Sequence, residues 1–544
     1  MFLKKTVLSL SLILISCFVF SQTKSNSSPD LVPNLNWYNK DFSQDHILGI
    51  STEKAYSKFL KNRKWKTVIV AVIDGGTDTT HEDLKSVLWT NNKEIPGNGI
   101  DDDGDGYIDD VHGWNFIGGA GGKEVGKDTY EVARMLSRLE PIYKGKSRNA
   151  LSPADQKQYD LYLKVKQEYQ KQRSQSEDEL SKYNPILKVV QTSNEIVKKT
   201  FHVSKVDTNF LKNASSEDPN AKQALYVSAQ VLKMGYKNVD SAESDLREGI
   251  KHSQDKLDFG LDTAFNPRKI VGDDYPNYHQ INYGNNDITG PDALHGSHVS
   301  GIIGAVRNNG KGINGIANHV QIMTVRAVPD GDERDKDIAA AIRYAVNNGA
   351  EIINMSFGKG YSPYKVAVDE AVKFAEQKGV LLVHAAGNES VNKDTVINFP
   401  NRYYLDGSTA KNWIEVGASS RDTSGKMVAE FSNYGKTSVD VFAPGVEIYS
   451  TVPTGNKYKN ESGTSMASPV VVGLAAVLKS YFPYLTAVEL KEIIMKSSVK
   501  YYNLVNLPGS KDQKVSFDSL SISGGIVNLY EAVKLAMTYP VRKS

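Results

Sequence analysis

Apolar residues fall along this chain in two rhythms. Thr67-Val68-Ile69-Val70-Ala71-Val72-Ile73 is a nearly unbroken β-branched run, which predicts a strand buried on both faces of a parallel sheet. Residues 320–325, 351–356, 380–383, 414–416 and 439–442 are shorter runs of the same kind. Between them, 335–348 and 365–378 carry a helical period, the first through Ile338, Ala341, Ile342 and Ala345. Strands alternating with helices predict an α/β fold, a parallel sheet with helices on both faces. From 123 to 262 the rhythm changes to Lys, Glu, Gln, Ser and Tyr with few β-branched residues, which predicts helices. Ser152-Pro153-Ala154-Asp155 reads as a helix start, and Pro185, Pro219 and Gly235 as breaks. The expected organisation is a signal peptide over 1–21, an N-terminal extension over 22–60 and an α/β domain in two parts, 61–118 and 286–537. An inserted all-α subdomain over 119–285 separates the parts, entered through a hinge at Gly118-Gly119-Ala120-Gly121-Gly122. Within the extension, 23–41 is expected to be extended and 50–60 weakly helical.

The N-terminus opens Met1-Phe2-Leu3-Lys4-Lys5, followed by an apolar run from 7 to 20. That run is short for a membrane span and suits a secretory signal cleaved near Ser21; a short membrane anchor is the alternative. Leu14-Ile15-Ser16-Cys17 resembles a lipoprotein box, which would make Cys17 a lipid anchor, although Phe18-Val19-Phe20 continues the apolar run beyond it. Cys17 is the only cysteine, so cleavage beyond it leaves a chain with neither disulfide nor thiol chemistry. An extracytoplasmic location without a membrane span follows. The 544 residues carry a formal net charge of +2 and 40% hydrophobic residues, which suits a large core and gives no reason to expect a nucleic-acid partner. A monomer is expected.

Four stretches carry candidate chemistry. The first strand ends in Asp74-Gly75-Gly76, and open α/β sheets build their sites at such strand ends; a turn aspartate is the plainer reading. Asp101, Asp103 and Asp105, then Gly106, the carbonyl of Tyr107 and apolar Ile108 follow the spacing of a calcium loop. His112 stands where that loop carries a bidentate Glu, so Asp109 or Asp110 would substitute. Structural calcium is expected there, with a solvated acidic turn as the alternative. His295-Gly296-Ser297-His298 opens a glycine-rich helix, and a metal pair of the two histidines lacks a third ligand nearby. Gly463-Thr464-Ser465-Met466-Ala467-Ser468-Pro469 precedes a long apolar helical pattern. Ser465 therefore falls at or near a helix N-terminus, with Pro469 in the first turn. Such a serine is either an N-cap or, with a base beside it, a nucleophile.

Together Asp74, His295 and Ser465 follow the Asp, His, Ser order of one known serine triad. The motifs Val72-Ile73-Asp74-Gly75-Gly76, His295-Gly296-Ser297-His298-Val299-Ser300-Gly301 and Gly463-Thr464-Ser465-Met466-Ala467-Ser468-Pro469 resemble those of subtilases, the subtilisin-like serine peptidases. The resemblance implies a subtilisin-like α/β sheet and acyl transfer. Ser465 would attack a peptide carbonyl, His295 would act as base and then acid, and Asp74 would orient the imidazole. Ala385-Ala386-Gly387-Asn388 resembles the family's oxyanion segment, which gives Asn388 the role of donor beside the Ser465 N–H. Substrate would lie as an added strand between Ser356-Phe357-Gly358 and the stretch from Val328 to Gly331, with Gly387 beside it. Ser297 and Ser300 replace the family's usual Thr and Ala. The forty or so residues between the expected cleavage site and the first strand are few for a folded inhibitory propeptide. The helical insertion is expected near the cleft rim, as a lid or exosite. A catalytically silent peptide-binding protein on the same fold is the rival reading.

Overall fold

The structure, a computed structural model, describes residues 35–541; the expected signal peptide and Cys17 lie outside the described residues. A nine-stranded sheet forms its centre. Its strands are β1 (Val68–Asp74), β2 (Gly113–Asn115), β3 (Val320–Arg326), β4 (Ile352–Met355), β5 (Leu381–Ala385), β6 (Trp413–Ser419) and β7 (Val441–Pro444), with two more named below. A separate hairpin of β8 (Ile448–Val452) and β9 (Lys457–Glu461) precedes the edge strand β10 (Val499–Lys500) and its inner neighbour β11 (Gly525–Ile526). The spatial order is β10-β11-β7-β6-β5-β4-β1-β3-β2, with only β10 antiparallel to its neighbour. Asp74 pairs in register with Arg326 on β3. The chain passes from β3 on one side of β1 to β4 on the other, so the order reverses at β1. The crevice for a ligand therefore opens at the C-terminal end of β1.

The helices used below are α1 (Glu131–Tyr143), α2 (Pro153–Phe201), α3 (Pro219–Lys233), α4 (Val239–Asp255), α5 (Leu294–Gly304), α6 (Asp335–Asn347), α7 (Lys365–Gln377) and α8 (Thr464–Tyr481). The unbroken apolar run of β1 serves two faces at once. Val68, Val70 and Val72 join the apolar cluster of α5 and α8, while Ala71 and Ile73 join that of α6 and α7. Each fully buried valine contributes about 1.5–3 kcal/mol, so Val70→Asp would remove that and strand a charge in the core. Glycines let α5 press close: a Cβ on Gly296 would lie 2.1 Å from the Gly76 carbonyl oxygen. This contact seats the start of α5 against the turn that follows Asp74.

The chain leaves the sheet after Asn115 and returns to the same point at Asn285, where the two backbones exchange hydrogen bonds of 2.9 and 3.0 Å. Helices α1 to α4 lie between. The expected break at Pro185 does not occur, and α2 runs through it for 49 residues. Pro185 sits on the exposed face, where water can satisfy the carbonyl it frees. Packing at both ends outweighs the defect: Tyr162 and Val165 meet Val132 and Leu136 of α1, and Ile186 and Val190 meet Val231 of α3 and Leu246 of α4. The expected hinge is instead a tight hairpin in which Gly118 pairs with Glu124, and a Cβ on Gly119 would lie 1.9 Å from the Ile270 carbonyl. In the N-terminal extension, 37–39 is a 3-10 turn rather than extended chain, because Trp37 and Tyr38 are buried in the main core. Among the described residues no helix is long and apolar enough to cross a membrane.

Candidate active site

Asp74 ends β1, is buried, and is steadied by the Gly75 N–H at 2.7 Å. His295, in the first turn of α5, places Nδ1 2.9 Å from each Asp74 carboxylate oxygen. That pairing leaves Nε2 as the free face of the ring, and the side chain is 42% exposed. Burial disfavours the imidazolium, but the Asp74 carboxylate outweighs it and holds the His295 pKa above its ordinary 6.5. His298 behaves oppositely. It is fully buried, Nε2 donates to the Lys459 carbonyl at 3.1 Å, and burial pushes its pKa down to about 3. It ties α5 to the β8–β9 hairpin and is not turned toward a metal shared with His295.

Ser465 is the second residue of α8, with Gly463 as N-cap. Pro469 lies deeper in the helix than the first turn. It stands four positions after Ser465, so the hydrogen bond that would normally reach the Ser465 carbonyl is missing. The Ser356 hydroxyl fills the gap, donating to that carbonyl at 3.0 Å. In return the Ser465 hydroxyl donates to the Ser356 carbonyl at 3.2 Å. In this rotamer it makes no hydrogen bond to His295.

The next donors converge at the head of α8. The Asn388 amide oxygen accepts from the Thr464 N–H at 2.9 Å and the Thr464 hydroxyl at 3.0 Å, which turns Nδ2 outward. A Cβ built on Gly463 would lie 3.5 Å from Asn388 Nδ2 and 3.6 Å from the Ser465 nitrogen, so both donors face one small space. Gly387, at φ +101°, makes the turn that presents Asn388, and its N–H donates to Thr464 Oγ1 at 3.0 Å. The dipole of α8 adds its positive end here. The two expected substrate walls differ. Gly358 is exposed. On the other wall Val328 N–H donates to the Asp74 carbonyl at 3.2 Å, and Asp330 already pairs with Gly126 and Asp128 through bonds of 2.8 and 3.0 Å.

The acidic loop gathers differently from its sequence spacing. Ligand oxygens of Glu94, Asp101 and Asp103 lie within 4.8 Å of one another, an all-oxygen set that fits a hard cation. Asp105 turns to Asn348 Nδ2 at 3.1 Å, and Asp109 accepts from the backbone of Gly97, Asn98 and Gly99 at 2.7–3.1 Å. The Tyr107 side chain is buried in the aromatic core. Glu94 carried no signal, since it precedes the spaced acids. Arg326 was also missed: it is buried inside a strand pattern, and its Nε donates to the Gly75 carbonyl at 2.8 Å, which fixes the turn after Asp74.

A parallel sheet that brings an aspartate, a histidine and a first-turn serine, in that chain order, to one rim defines the subtilisin-like α/β class. The chain belongs to the subtilase family, whose match covers residues 65–518. It is 46% identical over 187 residues to a thermophilic serine proteinase of Bacillus sp. (strain AK1), covering 34% of this chain and 42% of that one. It is 36% identical over 217 residues to subtilisin BL of Lederbergia lenta, covering 40% and 74%. It is 34% identical over 249 residues to a cell wall-associated protease of Bacillus subtilis, covering 46% and 24%. The matched stretch thus spans less than half the length of the first and third of these relatives.

Proposed function

We propose that this chain is a serine endopeptidase that hydrolyses protein or peptide substrates through an acyl-enzyme. The double contact of His295 with Asp74, beside donors converging on Ser465, carries the reading. Neutral His295 takes the proton of Ser465 as its oxygen attacks the substrate carbonyl, then gives it to the leaving amine. Asp74 holds the ring and offsets the charge that forms on it. Asn388 Nδ2 and the Ser465 N–H receive the oxyanion. Substrate entry turns the Ser465 hydroxyl from the Ser356 carbonyl toward His295; such contacts commonly tighten only in the complex. An extracytoplasmic location accords with the N-terminal pattern and with the relative named for the cell wall. Glu94, Asp101 and Asp103 would hold structural calcium, which takes no part in the chemistry.

The helices over the rim restrict what enters. Helix α4 is tied to one side of the cleft by Lys127–Asp255 at 2.6 Å and approaches β9 on the other through Lys459–Glu248 at 3.9 Å. A strap tied at one rim and lying close to the other admits an unfolded segment more readily than a folded surface. The test is labelling with a serine-directed fluorophosphonate. The wild type takes one label, on Ser465, while Ser465→Ala and His295→Ala take none. Absence of label on the folded wild type would favour a silent peptide-binding protein.

A further inference from the structure

A second carboxylate–imidazole pair lies behind the substrate wall, away from Ser465. His384 of β5 is completely buried, in register between Met355 of β4 and Glu415 of β6. Its Nδ1 meets Glu415 Oε1 at 3.0 Å, and its Nε2 meets the Phe357 carbonyl at 2.8 Å. A carbonyl oxygen and an ionised carboxylate both only accept, so each ring nitrogen donates, Nδ1 to Glu415 and Nε2 to the Phe357 carbonyl. Glu415 is well placed to aim the ring: its other oxygen accepts from Trp413 Nε1 at 2.8 Å, and Lys393 binds beside His384. Burial works against the Glu415 carboxylate, but Lys393 and His384 hold its pKa down at about 2, so it stays charged. The pair resembles Asp74–His295 in layout but points at main chain instead of a hydroxyl, so it has no nucleophile to activate.

The consequence follows from peptide planarity. The Phe357 carbonyl and the Gly358 N–H belong to one plane and point opposite ways. Drawing the carbonyl inward to His384 aims the N–H outward, and Gly358 is exposed on that side. A Cβ on Gly358 would still lie 3.8 Å from His384 Nε2, so the anchor sits directly beneath this peptide. We propose that His384 is a positioning residue, which holds the peptide between Phe357 and Gly358 so that its N–H meets the backbone of an extended substrate. The inference rests on the peptidase reading for the place of the substrate, and on the His384 geometry for the role.

The experiment compares His384→Leu with His384→Gln in the full chain. Gln can present an N–H near the place of Nε2; Leu cannot. Two substrates are used, a peptide extending several residues upstream of the cleaved bond and a single-residue acyl ester that does not reach this wall. His384→Leu raises KM for the peptide about tenfold, the scale of one misaimed hydrogen bond, and leaves ester kinetics within about twofold. His384→Gln returns the peptide KM to within about threefold of wild type. The dissociation constant of the same peptide, measured by fluorescence anisotropy on a Ser465→Ala background, follows the KM pattern. That measurement needs no turnover, so an inactive wild type with the same binding pattern removes the peptidase reading and leaves the role of His384 intact. The role is overturned if Leu and Gln behave alike, if ester and peptide kinetics fall together, or if peptide binding does not change.

Discussion

Thr464→Val isolates the aiming of the oxyanion donor from its presence. Thr464 is 1% exposed, and its hydroxyl makes two contacts of 3.0 Å, accepting from Gly387 and donating to Asn388 Oδ1. Valine keeps the shape and removes both. At about 0.5–1.5 kcal/mol for each hydrogen bond, the loss of stability is about 1–3 kcal/mol. At about 2 cal/mol/K of unfolding entropy per residue, a chain of 544 residues loses about 1 °C of Tm per kcal/mol. The remaining contact from the Thr464 N–H, at 2.9 Å, keeps Asn388 near its place but lets Nδ2 swing. In a subtilisin, removing such a donor outright lowers kcat about 10²–10³-fold. A half-anchored donor should lose about tenfold in kcat, with KM unchanged because the oxyanion exists only in the transition state. Steady-state kinetics on a chromogenic peptide, beside a thermal melt, read both effects. Thr464→Ser keeps the hydroxyl and should restore each. A Thr464→Val enzyme with the expected fall in Tm but full kcat would refute the reasoning, as would a raised KM at unchanged kcat.

Asp74 raises the pKa of His295 above 6.5, and the base must be neutral, so activity is present above that pKa and lost as pH falls through it. The acid limb of kcat/KM in wild type should have its midpoint above 6.5. Asp74→Asn should lower kcat about 10⁴-fold, and a wild-type midpoint at or below 6.5 would contradict the pairing. A chelator should lower the wild-type Tm by several degrees and leave Glu94→Gln, already less stable, unmoved; equal shifts in both would remove Glu94 from the metal set. Arg134, 10% exposed on its side chain, bonds Glu131 at 2.7 Å and the Asp332 and Glu333 carbonyls at 3.2 and 3.3 Å. Arg134→Ala should destabilise by about 3–5 kcal/mol in urea titration, because it strips a partner from buried Glu131. A change under about 1 kcal/mol would mean the network reorganises freely.

The parts legible in the sequence are those whose chemistry is local. The β-branched run before Asp74, the glycine-rich helix after His295 and the small residues around Ser465 each write their own backbone, and β1, α5 and α8 follow from them. Contacts distant along the chain left no such trace. Glu94 joins Asp101 and Asp103 only because a turn folds it back, so the spacing pointed to Asp105 and Asp109 instead. Pro185 read as a break because propensity does not register packing at the two ends of α2. Pro469 was legible as a helix residue, but its effect on the Ser465 carbonyl emerges only when Ser356 is seen filling the gap. Arg326 and His384 lie in strand patterns, where a buried polar residue looks like an interruption until its partners are known.

The meeting of Asn115 and Asn285 means that the intervening helices enter and leave the sheet at one place, as an insertion would. Two adjacent backbone points can be joined by a turn or by a long excursion, but the near end of this one also braces β3, because Glu124 and the Val125 carbonyl accept from Arg326. Selection can therefore lengthen, trim or redecorate the outer helices α2 to α4, while Glu124, Asp128 and Glu131 at the excursion's near end stay tied to Arg326, Arg334 and Lys359 beside the rim that carries Asp74.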